Sequence, residues 1–149
     1  AVQGKRGEVS LIQLSVVSAT DVLTEVFAVE EQAPIQKIER IRHADGEPTQ
    51  YEISFIPWSI APGITKEQAE HSLFDTLAKV FDIQVSKTTE SLEIVLADEA
   101  ISNYLKCPVN APCFYIETVT EDQGGQIIEY SRSYFRGDKT NFVIERSYR

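Results

Sequence analysis

Arg40 and Arg42 stand one residue apart in the run Glu39-Arg-Ile-Arg-His-Ala-Asp-Gly-Glu-Pro-Thr-Gln-Tyr-Glu-Ile-Ser-Phe-Ile-Pro57. On an extended strand side chains alternate sides, so the two guanidinium groups share a face and form a two-pronged cation. Planar, permanently charged forks suit phosphate or carboxylate, which makes a small anion the natural ligand of such a pair. Read alone, the pair also fits ordinary surface charge. Glu52, on the strand returning from Asp45-Gly46, could accept hydrogen bonds from a polyol or amine if it faces the arginines. A two-residue turn pairs Arg40 with Tyr51, whereas a loop one residue longer pairs it with Glu52.

Ser72 opens a helix, where unbonded N–H groups and the helix dipole favour an anion, although a plain N-cap explains a serine there equally well. His71 beside it reads as an exposed residue flanking the helix. Farther along, Glu129, Ser131, Ser133 and Phe135 share one strand face, and Tyr130, Arg132, Tyr134 and Arg136 share the other. If Glu129 faces the same cavity as Glu52, two carboxylates can hold hydroxyls while the arginines hold a charged end. The alternative is a half-exposed strand with salt-bridged rim residues. No nucleophile elbow, phosphate loop, His-Glu-x-x-His or Ser/His/Asp order is present, so a binding module is expected rather than an enzyme.

The elements that must position these residues come from 149 residues, enough for one domain, 1–149. The apolar runs are too short for a membrane segment. Fourteen Lys plus Arg against twenty-three Asp plus Glu give a net charge of −9, a field that repels nucleic acid. Cys107 and Cys113 flank Pro108-Val109-Asn110-Ala111-Pro112, a spacing that fits neither a zinc site nor a Cys-x-x-Cys pair, so reduced thiols and no metal or cofactor are expected. The start at Ala1 and the lack of methionine suggest a piece of a longer protein.

A faint duplication at an offset of 78 residues organises the chain. Leu14, Val17 and Ala19 recur as Leu92, Val95 and Ala97; Ala33-Pro34 recurs as Ala111-Pro112; Ile38-Glu39 recurs as Ile116-Glu117; and Gly46 recurs as Gly124. Each copy reads as strand, short helix, hairpin. Thr20-Asp21 starts the first helix, with Val22, Leu23, Val26 and Phe27 as its stripe; Asp98 starts the second, with Ala100, Ile101, Tyr104 and Leu105. The hairpins turn at Asp45-Gly46 and Asp122-Gln123-Gly124-Gly125. Between the copies, Thr65 with Gln68 fits a capping box, and Ser72 with Asp75 begins a helix carrying Leu73, Leu77, Val80 and Phe81. After a turn at Gly137-Asp138, Phe142-Val143-Ile144 reads as a last strand. The sum is an α+β fold with an antiparallel sheet of about six or seven strands and packed helices.

The run Glu39 to Pro57, with Tyr130-Ser-Arg-Ser-Tyr-Phe-Arg-Gly-Asp138, Phe142-Val143, Ala97 to Leu105, Ala111-Pro112 and Ser72-Leu73-Phe74, resembles the UTRA domain. That domain is the effector-binding half of HutC-subfamily GntR transcription regulators. The resemblance implies a chorismate-lyase-like fold, a cytoplasmic homodimer, and a pocket controlling an upstream winged helix-turn-helix domain that meets operator DNA. That upstream domain is absent from this chain. In members that sense phosphorylated sugars, the residues matching Arg40, Arg42 and Ser72 hold the phosphate, and those matching Glu52 and Glu129 face the sugar. Phe74 and Phe135 stand where a ligand-contacting Tyr can stand; a hydrogen bond lost there is worth about 0.5–1.5 kcal/mol. A chorismate-lyase-like enzyme and a dimerisation module with a vestigial pocket are the alternatives.

Overall fold

The computed structural model describes residues 7–148. Six strands, β1 (Gly7–Ser18), β2 (Pro34–Ala44), β3 (Glu47–Pro57), β4 (Val85–Leu96), β5 (Pro112–Asp122) and β6 (Ile127–Arg136), form one sheet in the order β1-β2-β3-β6-β5-β4. Every neighbouring pair is antiparallel. The order is the duplication made visible, with β1-β2-β3 and β4-β5-β6 meeting at the β3–β6 seam. Ala19 N–H bonds Ala33 O and Ala97 N–H bonds Ala111 O, at 2.8 and 2.9 Å, 78 residues apart in sequence. The left-handed residues repeat likewise, Ala28 with Lys106 and Gln32 with Asn110.

Helices α1 (Val22–Phe27) and α4 (Glu99–Leu105), the repeated ones, cover the back of the sheet. Phe27 packs with Ile35, Phe55 and Tyr130, and Ile101 and Leu105 pack with Tyr51 and Cys113. Asp98 caps α4 through Ile101 N–H at 2.9 Å, as its position at the helix start requires. Asp21 stands at the matching place before α1, but its side chain makes no capping bond. Cys107 and Cys113 are unbridged, and burial beside Cys107 pushes the Cys113 thiol up to about 11.

The insertion between the copies has no repeat mate, and it covers the front of the first half, reaching across the seam to Ile128 of β6. It forms α2 (Lys66–Ala69) and α3 (Leu73–Phe81). Thr65 and Gln68 close the expected capping box, and Leu73 and Leu77 bury their side chains against Ile38, Ile56 and Ile128. The loop leading to α2 is fastened by buried Gln36, whose amide donates to Ala61 O at 2.7 Å and accepts from Ile64 N–H at 2.9 Å.

Phe142-Val143-Ile144 forms no strand, so the sheet has six. The preceding strand β6 is already bonded on both sides, by β3 and β5, and leaves the following segment no edge to pair with. Phe142 instead meets the rings of Phe114 and Phe135 edge-on, at 5.0 and 5.8 Å. The turn before it runs close to β5: Gly137 N–H bonds Pro112 O, and a Cβ on Gly137 would lie 2.6 Å from that oxygen.

Replacing Gln36 with Leu should cost about 2–4 kcal/mol of stability, because Ala61 O and Ile64 N–H lose their buried partner. Urea denaturation measures it; a cost below about 1 kcal/mol would mean that solvent reaches those groups.

Candidate functional site

The register of the first hairpin decides where the arginines point. Asp45 and Gly46 both have positive φ, 54° and 81°, as a two-residue hairpin turn requires. Such a turn by itself would set Arg40 opposite Tyr51. One extra residue, Thr49, bulges from β3 between the Arg42–Gln50 and His43–Pro48 pairs, and its hydroxyl donates to Arg42 O at 3.3 Å. The bulge shifts the register by one, and Arg40 faces Glu52. A second bulge, at Ile128 in β6, lets Ile128 join the front core while Glu129, next to it, lines the cavity on the same face.

On the front of the sheet these registers assemble rows of side chains. One row runs Arg40–Glu52–Ser133–Ile116, the next Arg42–Gln50–Phe135, and on the other side Ser54–Ser131–Thr118–Glu90. With the start of α3 as one wall, these rows, buried Ser54 apart, line a cavity of about 960 Å³. All seven residues singled out in the sequence, Arg40, Arg42, Glu52, Ser72, Phe74, Glu129 and Phe135, line it. So do His71, expected only to flank the helix, and Thr88, Glu90 and Thr118, which were not singled out. The duplication held the signal for one of these, since an offset of 78 carries Arg40 onto Thr118.

The two arginines are not equivalent. Arg40 is buried, and its Nε donates to Glu52 Oε1 at 3.1 Å while Nη2 also contacts that oxygen. Its Nη1 donates to His71 O at 2.9 Å and Ala69 O at 3.3 Å. Four of its five N–H groups are thus committed, and one remains for a ligand. Arg42 is the open prong: among the described residues its guanidinium has no hydrogen bond or ion pair. Ser72 Oγ accepts from Asp75 N–H at 3.2 Å, so the serine is an N-cap whose hydroxyl proton stays available. The N–H groups of Leu73 and Phe74 precede the first helical bond, Thr76 N–H to Ser72 O, and both residues line the cavity.

A profile of the UTRA domain matches residues 2–141, nearly the whole chain. The chain belongs to the UTRA domain family. Relatives include the transcriptional repressor NagR of Bacillus subtilis (strain 168), 29% identical over 133 residues, covering 89% of this chain and 55% of the relative. The repressor PhnF of Mycolicibacterium smegmatis is 29% identical over 135 residues, covering 89% and 54%. The chain thus spans just over half the length of these relatives. Among solved structures, the effector domain of PhnF from Mycobacterium smegmatis superposes with a TM-score of 0.89 at 27% identity, over 97% of this chain and 90% of that one. YydK of Bacillus subtilis, at 22% identity over 97% of this chain and 63% of that one, shares the fold with a TM-score of 0.90. Because these relatives are transcriptional regulators, the UTRA domain is a regulatory module and not an enzyme.

The UTRA family motif near Arg136 turns out to be a brace. Arg136 grips Asp138 with two bonds, Nε at 3.0 and Nη2 at 2.7 Å, and reaches Leu105 O at 3.4 Å, tying the end of β6 to α4. Glu129 differs from every other acid of the cavity. It is 6% exposed, and it accepts from Thr120 Oγ1 at 3.1 Å and from the Ser54 hydroxyl. Burial raises its carboxyl above the ordinary value of 4.5 and the Glu52 charge adds to this, while the Ser54 and Thr120 bonds and Arg40 oppose it.

A carboxyl with a raised folded-state pKa keeps its proton longer when folded than when unfolded. Folding therefore loses stability as pH rises from 4.5 through the raised value. Glu129→Gln should flatten that fall, so denaturant midpoints of mutant and wild type should diverge in favour of the mutant as pH climbs towards neutrality. Parallel curves would show that Glu129 does not titrate there.

Proposed function

We propose that this UTRA domain is the effector sensor of a bacterial transcription regulator, binding a small anionic metabolite such as a sugar phosphate. The observation that carries this reading is the uncommitted Arg42 guanidinium in a polar cavity that also contains the start of α3. Arg42, the last N–H of Arg40, the Ser72 hydroxyl and the Leu73 and Phe74 N–H groups hold the anion. Gln50, Glu52, Glu129, Ser131 and Ser133 accept and donate hydrogen bonds along the rest of the ligand, while Phe74 and Phe135 supply apolar walls. One relative is named a probable repressor of a fructoselysine utilization operon, which favours a metabolite-responsive role.

The regulator reading places a winged helix-turn-helix domain upstream in the whole protein, which would act in the cytoplasm and touch operator DNA in place of this acidic chain. Among the described residues no helix is long and apolar enough to cross a membrane. An effector that favours one arrangement of the domain by about 1–3 kcal/mol changes operator affinity roughly 5- to 150-fold. The working unit is a homodimer. On edge strand β4, Leu92, Ile94 and Leu96 stand 52%, 61% and 62% exposed on the front face, where the second half of the sheet lacks any insertion helix. A second copy would cover that row.

A thermal-shift screen of sugar phosphates and inorganic anions tests the sensor. Arg42→Ala should abolish the stabilisation, since a charge-assisted bond lost at a shielded site costs about 1.5–3 kcal/mol of binding. Retention of every shift in the mutant would dismiss the Arg42 site. Ile94→Glu should convert the dimer to monomer on a sizing column without lowering the monomer's helix content; an unchanged elution would move the interface elsewhere.

A further inference from the structure

The cavity is more negative than an anion sensor needs to be. Glu8, Glu52, Glu70, Glu90 and Glu129 line it against Arg40 and Arg42. Arg40 is matched by Glu52, so Arg42 alone must balance the remaining carboxylates. A purely anionic ligand would gain at Arg42 and be repelled along the rest of the wall. A neutral polyol needs acceptors and donors, and the hydroxyls of Ser131, Ser133 and Thr118 supply both without any buried charge. Glu129 is the group that neither ligand explains. Nearly all of its surface is buried, its hydrogen-bond partners are two hydroxyls, and among the described residues no cation bonds to it, Arg40 acting on it through its charge alone. A buried carboxylate is costly unless a cation accompanies it, and nearby Arg40 commits four of its five N–H groups to Glu52 and two carbonyls.

We propose that the effector is zwitterionic, with its anionic group on Arg42 and the start of α3 and a protonated amine against Glu129. This rests on the anion-sensing reading and narrows it. The ammonium supplies the counter-charge that the protein leaves out. It holds Glu129 ionised, so that any proton carried by the carboxyl leaves when the amine docks, and affinity rises with pH across the Glu129 titration. The groups that face Glu129 are Ser54 and Glu52 from β3, Arg40 from β2 and Thr120 from β5, with Glu8 of β1, Arg42 of β2, Glu90 of β4 and Glu70 and His71 before α3 in the same cavity. Repeating the pH series in His71→Gln serves as the control for that neighbour.

Isothermal titration of the 149-residue chain with three matched series tests the assignment: n-alkyl, ω-hydroxyalkyl and ω-aminoalkyl phosphates of increasing length. At the best-fitting length the amine should bind about tenfold or more tightly than its alkyl and hydroxyl mates. Glu129→Gln should collapse that ratio. In wild type, titrations in buffers of different ionisation enthalpy at acid to neutral pH should report more proton release with the amine series than with its alkyl and hydroxyl mates, because the phosphate's own second ionisation, at about pH 6, contributes to all three. A hydroxyl mate as tight as the amine, or a ratio that survives Glu129→Gln with no excess proton release from the amine in wild type, overturns the zwitterion. If all series bind alike and Arg42→Ala abolishes binding, the anion site stands and the amine falls; if no series binds, both fall.

Discussion

The buried guanidinium of Arg40 is the tie on which the front of the molecule depends. One side chain joins β2 to Glu52 of β3 and to the carbonyls of Ala69, at the end of α2, and His71, in the α2–α3 connection. Removing it would leave a nearly buried carboxylate and two carbonyls without their partner, a loss of the kind that costs about 3–5 kcal/mol. Because α3 begins directly after that connection, Arg40 also sets where Ser72, Leu73 and Phe74 present their polar groups. A ligand held by Arg42 and Ser72 would add a second tie across the same joint between sheet and helix.

The rest of the architecture follows from a duplication completed on only one side. Two copies of strand, helix and hairpin meet at the β3–β6 seam, and their helices cover the back alike. The front is asymmetric, because α2 and α3 are inserted once and lie over the first half. The cavity sits where that cover ends, with α3 as its wall and strands of both halves as its floor. Thr118 lies at the place in the second half that Arg40 holds in the first, so the repeat supplies a hydroxyl where the original supplies a cation. The two halves thus contribute unlike chemistry to one site, which a symmetric pair could not do.

Much of this was legible in the residues. Capping boxes, helix stripes and turn dipeptides act through contacts within a few residues, so Thr65 with Gln68, Ser72 with Asp75 and Asp98 with Ile101 N–H are found where the sequence puts them. The offset of 78 gave the two halves, and the alternation of β6 gave its cavity face from Glu129 to Phe135. Phe142-Val143-Ile144 misled because an apolar run carries no information on whether an edge is free; its Phe was needed for packing against Phe114 and Phe135.

By itself the sequence determined the local elements, the repeat, the UTRA resemblance and the candidate side chains of the cavity, all of which depend on residue type and short spacing. Only the tertiary structure decided that Arg40 is engaged and Arg42 is open. Both arginines read alike in sequence, and the difference arises from Thr49, whose bulge moves the register by one residue, and from a helix connection 29 residues away that offers its carbonyls to one of them. Likewise Glu129 became the unaccompanied acid of the cavity only once Ser54 and Thr120 were brought against it from neighbouring strands. Partnership in a sheet is set by long-range pairing, and no spacing along the chain records it.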